Sequence, residues 1–235
     1  MSLRPRLGRW ISVLKSGVGW FRQYERFADR RAAGRKLAAA LSAYAGRDDL
    51  LVLGLPRGGV PVAYEVATAL HAPLDVWLVR KLGVPGHEEL ALGAIADGGA
   101  RVLNAEIIVE LGITPEDIDR VTALEQRELA RRHTLYRGER PPPDVRGKTV
   151  ILVDDGLATG STMQAAIASV RAQEPRAVVV AVPVAPPVVR AEFAGLVDDF
   201  VCLLTPDPFR AVGLWYEDFS PTEDDEVRAL LAASQ

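Results

Sequence analysis

The sequence predicts an α/β fold, a mainly parallel twisted sheet flanked by helices, and three observations carry that expectation. Short apolar runs too brief for helices alternate with segments whose apolar residues recur at helical spacing. Strands separated by helices in this way pair in parallel through right-handed crossovers. A hydrophobic content of 49% over 235 residues supplies one sizeable core.

Taken in order, residues 1–22 form an N-terminal extension in which Arg4, Arg6, Arg9 and Lys15 alternate with Trp10, Leu14 and Trp20. Pro5, Gly8, Gly17 and Gly19 interrupt it, which favours a packed or disordered extension over a helix lying on an anionic membrane surface. Residues 24–45 read as an Ala-rich helix with Phe27, Leu37 and Leu41 on one face. "LLVLGL" (50–55) is a strand, "VPVAYEVATAL" (60–70) an amphipathic helix and "LDVWLVR" (74–80) a second strand. Residues 90–104 predict a hairpin turning at Asp97, Gly98 and Gly99. Thr114, Pro115 and Asp117 supply a cap, a proline in the first helical position and an acid three residues after the cap, so a helix starts there. Its arginines, Arg120, Arg127, Arg131 and Arg132, read as a solvated face. "RPPPD" (140–144) ends it. Then follow a strand at 149–153, a helix at 161–173, a strand at 177–184, a helix at 187–195 and a strand at 200–204. Ser220, Pro221 and Glu223 predict the start of a closing helix, and 222–235 is set apart as a C-terminal unit.

Composition narrows the function. The 28 Lys and Arg nearly balance 31 Asp and Glu, so the chain lacks the basic field of a non-specific nucleic-acid binder. A lone cysteine, Cys202, rules out an internal disulfide framework, and its apolar setting predicts a buried, inert thiol. No apolar run approaches the roughly 18 residues of a membrane span. A cytoplasmic enzyme or binding protein without nucleic-acid or membrane partners is the expectation.

The chemistry concentrates in "VILVDDGLATGSTM" (150–163). Its strand ends at Val153, and ligands of such sheets sit beyond the carboxyl ends of the strands. Asp154 and Asp155 then stand where their oxygens accept hydrogen bonds from vicinal hydroxyls or help hold a hydrated Mg2+. "LATGST" turns into a helix whose first N–H groups, with the hydroxyls of Thr159, Ser161 and Thr162, suit a phosphate dianion. Acids at one end and phosphate donors at the other fit a sugar phosphate. The loop lacks the lysine of a nucleotide-triphosphatase phosphate loop, as expected where the phosphate is an anchor and the bond breaks elsewhere.

This stretch resembles the phosphoribosyl pyrophosphate motif of type I phosphoribosyltransferases, a likeness that extends over most of residues 25–221. Gly156 departs from it, standing where the family usually carries an aliphatic residue. The resemblance implies the type I phosphoribosyltransferase fold over 23–221, with a flexible loop about 81–93, an inserted helix about 115–138 and a hood about 205–221. It implies phosphoribosyl transfer from phosphoribosyl pyrophosphate to a nitrogen acceptor such as a nucleobase, Mg2+ as cofactor and release of pyrophosphate. Donor-binding residues would be Arg57, Gly58 and Gly59 of "GLPRGGVPV", where the family often has a cis peptide that would fall between Pro56 and Arg57, together with Asp154, Asp155, Ala158, Thr159, Gly160, Ser161 and Thr162. Asp154 and Asp155 would also be the metal ligands, directly or through water. Arg80 and Lys81 would close on the departing pyrophosphate. Phe209 would stack on the acceptor, supported by Trp215 and Tyr216. The hypoxanthine-guanine branch carries an aspartate where this chain has Ala158, so Glu88 and Glu89 are the candidate proton acceptors. A homodimer is compatible with the sequence, and the acceptor is not readable from it. The other reading is a non-catalytic sensor of phosphoribosyl pyrophosphate or a nucleotide on the same fold, against which Arg80 and Lys81 argue, since a sensor has no departing group to stabilise. A sugar-phosphate hydrolase would need a nucleophile or metal cluster that the sequence lacks.

Overall fold

The computed structural model describes residues 25–234, so the expected extension at 1–22 lies outside the described residues. The central sheet has five parallel strands: β1 (Leu50–Gly54), β2 (Leu74–Val76), β6 (Thr149–Val153), β7 (Ala177–Val184) and β8 (Asp199–Leu204). They lie in the order β2-β1-β6-β7-β8. Every residue of β1 and β6 is buried, which is why both read as unbroken apolar runs. Helices α1 (Arg30–Ala40) and α2 (Gly59–Leu70) pack on one face through Leu37, Leu41, Val62 and Val66. On the other face, α5 (Ser161–Arg171) packs through Met163, Ile167 and Val170. This confirms the predicted fold class.

Three strands form a separate antiparallel sheet: β3 (Val79–Val84), β4 (His87–Ala96) and β5 (Arg101–Leu103). Asp97–Gly99 makes the turn expected between β4 and β5, with Gly98 and Gly99 at positive φ. The segment expected as a flexible loop, 81–93, is paired backbone: β3 and β4 are hydrogen-bonded neighbours across Pro85 and Gly86. The predicted single strand 74–80 is two strands, because Trp77 and Leu78 are buried where the chain leaves one sheet for the other. Helix α3 (Ala105–Glu110) has no counterpart in the sequence reading, although Asn104 caps it from its side-chain oxygen. Helix α4 (Pro115–Arg137) begins at the predicted Thr114 cap, whose hydroxyl accepts from the Asp117 N–H.

Charge, rather than apolar packing alone, fixes this inserted region. Arg137, at the end of α4, has a fully buried side chain that meets Asp75 at 2.9 Å and Asp97 at 2.7 Å. It also donates to the Val76 carbonyl, and Asp97 in turn accepts from the Leu78 N–H. Three segments distant in sequence therefore share one satisfied charge cluster.

Three helices differ in extent from expectation. Helix α6 is only Val189–Glu192. Helix α7 (Asp224–Ala233) starts after Glu223, not at Ser220. Ser220 instead bonds Asp218 through its N–H and hydroxyl, and its carbonyl accepts from Arg30. The first helix is likewise shorter than 24–45, since Asp29 caps it and Phe27 bridges to Tyr216.

Candidate active site

The acid pair follows β6 directly, at the carboxyl edge of the parallel sheet. The Asp155 N–H donates to Asp154 Oδ1 at 2.9 Å, and Arg30 Nε meets Asp155 Oδ2 at 2.8 Å with both side chains largely buried. Burial, then the neighbouring Asp155 charge, pushes the Asp154 carboxyl well above the usual carboxylate range. Burial also raises Asp155, while Arg30 opposes the rise. The guanidinium of Arg30 lies 3.9 Å from the centre of the Phe219 ring, within cation–π range.

Behind the acids, Leu157 donates to the Val184 carbonyl and fixes the base of the loop. Ala158, Thr159, Ser161 and Thr162 are exposed, and Gly160, at φ 72°, is the N-cap of α5. The first N–H groups of a helix have no partner within it, so the turn presents donors and a positive dipole end to solvent. Thr159 Oγ1 and Ser161 Oγ lie 3.2 Å apart.

The Pro56–Arg57 peptide is cis, as expected for the neighbouring loop. A Cβ at Gly58 would collide with Asp155 Oδ2, and one at Gly59 would lie 2.7 Å from the Val153 carbonyl. Glycine is required here because the loop backbone rides directly over the acid pair. The Arg57 side chain points elsewhere, with Nη1 3.7 Å from Glu223 and 4.0 Å from Asp224.

Gly156 is explained by the hood. A Cβ there would fall 2.5 Å from Val212 Cγ1 and 3.0 Å from Val184 Cγ1. Val212 thus occupies the volume that an aliphatic residue at 156 would fill, so the departure noted in the sequence does not leave the turn loose. The hood runs from β8 through a cis Asp207–Pro208 peptide and the turn Val212–Trp215. Tyr216 is fully buried between Phe27 and Phe219, and its hydroxyl donates to the Asp155 carbonyl. It therefore offers no surface to an acceptor and acts on the site only through the backbone of Asp155. Phe209 and Trp215 are half-buried against the same cluster.

Arg80 and Lys81 both lie on β3, and Arg80 does not stand free for a departing anion. Its Nε is 2.6 Å from Glu125 Oε2 on α4. His87, Glu88 and Glu89 begin β4. Cys202 is largely buried, and burial pushes its thiol up to about 12, in keeping with an inert role. Sequence reasoning missed Arg30, Val212 and the hydroxyl of Tyr216. Nothing local marks them, since each acts across a long chain separation.

An acid pair and a helix start at the carboxyl edge of a parallel sheet, roofed by a glycine loop with a cis peptide, define the class: an α/β protein whose candidate site lies at the carboxyl ends of its strands. The chain belongs to the phosphoribosyl transferase domain family, whose family model matches residues 22–199. Two Mycobacterium tuberculosis proteins, from strains CDC 1551 and H37Rv and each named "Putative phosphoribosyl transferase", are 48% identical over 205 residues, which is 87% of this chain and 46% of theirs. The chain therefore spans about half the length of these relatives. A crystal structure of a Thermus thermophilus protein superposes with a TM-score of 0.81 at 45% identity, covering 88% of this chain and 98% of that one.

Proposed function

We propose that the chain transfers the phosphoribosyl group of phosphoribosyl pyrophosphate to a nitrogen acceptor, a nucleobase being the class that best suits the aromatic hood, with release of pyrophosphate. The observation that carries this reading is the close approach of the Gly58 backbone to Asp155, so close that a Cβ at 58 would collide with Oδ2, which brings the cis-peptide loop onto the acid pair. Asp154 and Asp155 receive the ribose hydroxyls, the 158–162 turn anchors the 5′-phosphate, and the N–H groups of Arg57, Gly58 and Gly59 face the pyrophosphate. The C1–oxygen bond breaks with its electron pair leaving on pyrophosphate, the acceptor nitrogen bonds C1, and the nitrogen's proton passes to a base. With a methyl group at Ala158, Glu88 and Glu89 remain the proposed acceptors of that proton.

Among the described residues no group of three or more His, Cys, Asp or Glu side chains is placed to hold a metal ion. The two adjacent carboxylates fit Mg2+ that arrives with the pyrophosphate donor and keeps much of its water. When bound, the ion would neutralise charge on the leaving pyrophosphate.

The ion pair between Arg80 and Glu125 favours a second reading, a sensor that binds the donor without turning it over. Incubating the protein with phosphoribosyl pyrophosphate, Mg2+ and a panel of purines, pyrimidines and amines separates the two. Acceptor-dependent pyrophosphate release supports transfer, while donor binding without release supports the sensor. Among the described residues no helix is long and apolar enough to cross a membrane.

A further inference from the structure

The arginines on α4 look alike in the sequence, and the structure separates them. Arg120 and Arg131 are 70% and 60% exposed, each paired with an acid on its own helix. Arg132 is 30% exposed and lies about 100° further round the helix from Arg131, towards the packed side. One turn before it Leu129 enters the core, and one turn after it Tyr136 packs with Val60, Val76 and Leu78. This stripe places Arg132 in the wall of a narrow, partly open cleft, together with Leu55, Pro56, Trp77, Leu78, Val79 and Thr162. Pro56 opens the cis peptide of the glycine loop, and Thr162 sits in the first turn of the helix behind the phosphate loop. Arg132 is the one charged side chain in that wall among the described residues.

Other arginines near this cleft are engaged. Arg30 holds Asp155, Arg57 faces Glu223 and Asp224, and Arg80 holds Glu125. Arg132 bonds Glu128, Nε to Oε1, at 2.8 Å. Glu128 also accepts two bonds from Arg131, at 2.8 and 3.0 Å, so it stays paired if Arg132 leaves. A half-exposed ion pair is weak in water, whereas a guanidinium on a pyrophosphate makes charge-assisted, bidentate bonds.

We propose that Arg132, carried by the inserted helix, is the pyrophosphate-binding cation of this site, swinging from Glu128 onto the pyrophosphate faced by the Pro56–Gly59 loop. This rests on the phosphoribosyl reading. It gives α4 a role at the site and supplies the cation that Arg80, bound to Glu125, does not.

The test is calorimetric titration of the full chain with inorganic pyrophosphate and Mg2+. Arg132→Gln is expected to weaken pyrophosphate binding about 10-fold to 100-fold, and Arg132→Lys to recover part of the loss. Arg131→Gln, which removes Glu128's other partner on the outer face, is expected to bind as the wild type does. Thermal unfolding of each variant checks that the fold is kept, and Arg132→Lys carries the test if Arg132→Gln does not fold. Wild-type affinity in Arg132→Gln, or an equal loss in Arg131→Gln, overturns the assignment while leaving the phosphoribosyl reading in place. A wild-type protein that binds neither pyrophosphate nor phosphoribosyl pyrophosphate sinks both.

Discussion

The two halves of the site are held by different forces. Its floor, the loops after β1 and β6, rests on a parallel sheet buried on both faces, where position follows from apolar packing and strand register. Its cover, the β3–β5 hairpins with α4, has a smaller apolar cluster around Leu82, Leu92 and Ile118 and is tied in addition by ion pairs between distant segments, Arg137 with Asp75 and Asp97 and Arg80 with Glu125. Apart from the Arg30–Asp155 pair, a floor built by packing has little to lose from a change in one side-chain charge. A cover built on buried charge depends on each partner, since a lost partner leaves the others unpaired in a dry interior.

The sharpest way to break this contrast is Arg137→Gln. It strands the buried Asp97 and the mostly buried Asp75, and we expect a loss of about 3–5 kcal/mol in unfolding free energy by chemical denaturation. A loss below about 1 kcal/mol, the range of an exposed pair, would show that packing, not charge, sets the cover.

Asp154→Asn should act in the opposite sense. Turnover should fall about 100-fold to 1,000-fold, the scale seen when a directed polar group is removed from a reacting centre, while stability at neutral pH rises. Asp154 has a raised carboxyl pKa in the folded state, so the folded chain binds that proton more tightly than the unfolded chain does. The associated stability is full below the ordinary carboxylate range and is lost as pH rises through the raised value. The variant should flatten that decline, and thermal unfolding of the two proteins from about pH 4 to about pH 8 measures it. The same substitution at Asp155 would instead break the pair with Arg30, so the two acids are not interchangeable.

The smallest expected effect sharpens the comparison within the floor. Gly156→Ala drives a methyl group towards Val212 and should cost about 1–3 kcal/mol by overpacking. Adding Val212→Ala to that variant should recover part of the loss. Additive losses in the double mutant would mean that the hood does not fill the space beside residue 156.

The same division explains what the sequence discloses. The strand at 149–153 and the capped start at Thr114 depend on adjacent residues, and both are readable to the residue. The acid pair and the turn at 158–162 are legible for the same reason, being contiguous motifs, and the cis peptide through the family resemblance alone. By contrast, the break between β2 and β3 depends on Arg137 reaching the Val76 carbonyl from far along the chain. The late start of α7 depends on Asp218 and Arg30 engaging Ser220. Helix α3 carries a readable cap in Asn104, but its six residues are too short for a period to emerge.

The neighbours β1 and β6 lie side by side in register from Leu50 with Thr149 to Gly54 with Val153, yet the whole cover is strung between them. Joining two strands across so long a connection is entropically forgiving, because closure cost grows with the logarithm of length, about 0.6 kcal/mol for each doubling. The connection between these strands can therefore vary in length at little cost to their pairing, provided that Arg137 still reaches Asp75 and Asp97, so the floor and the cover can change at different rates.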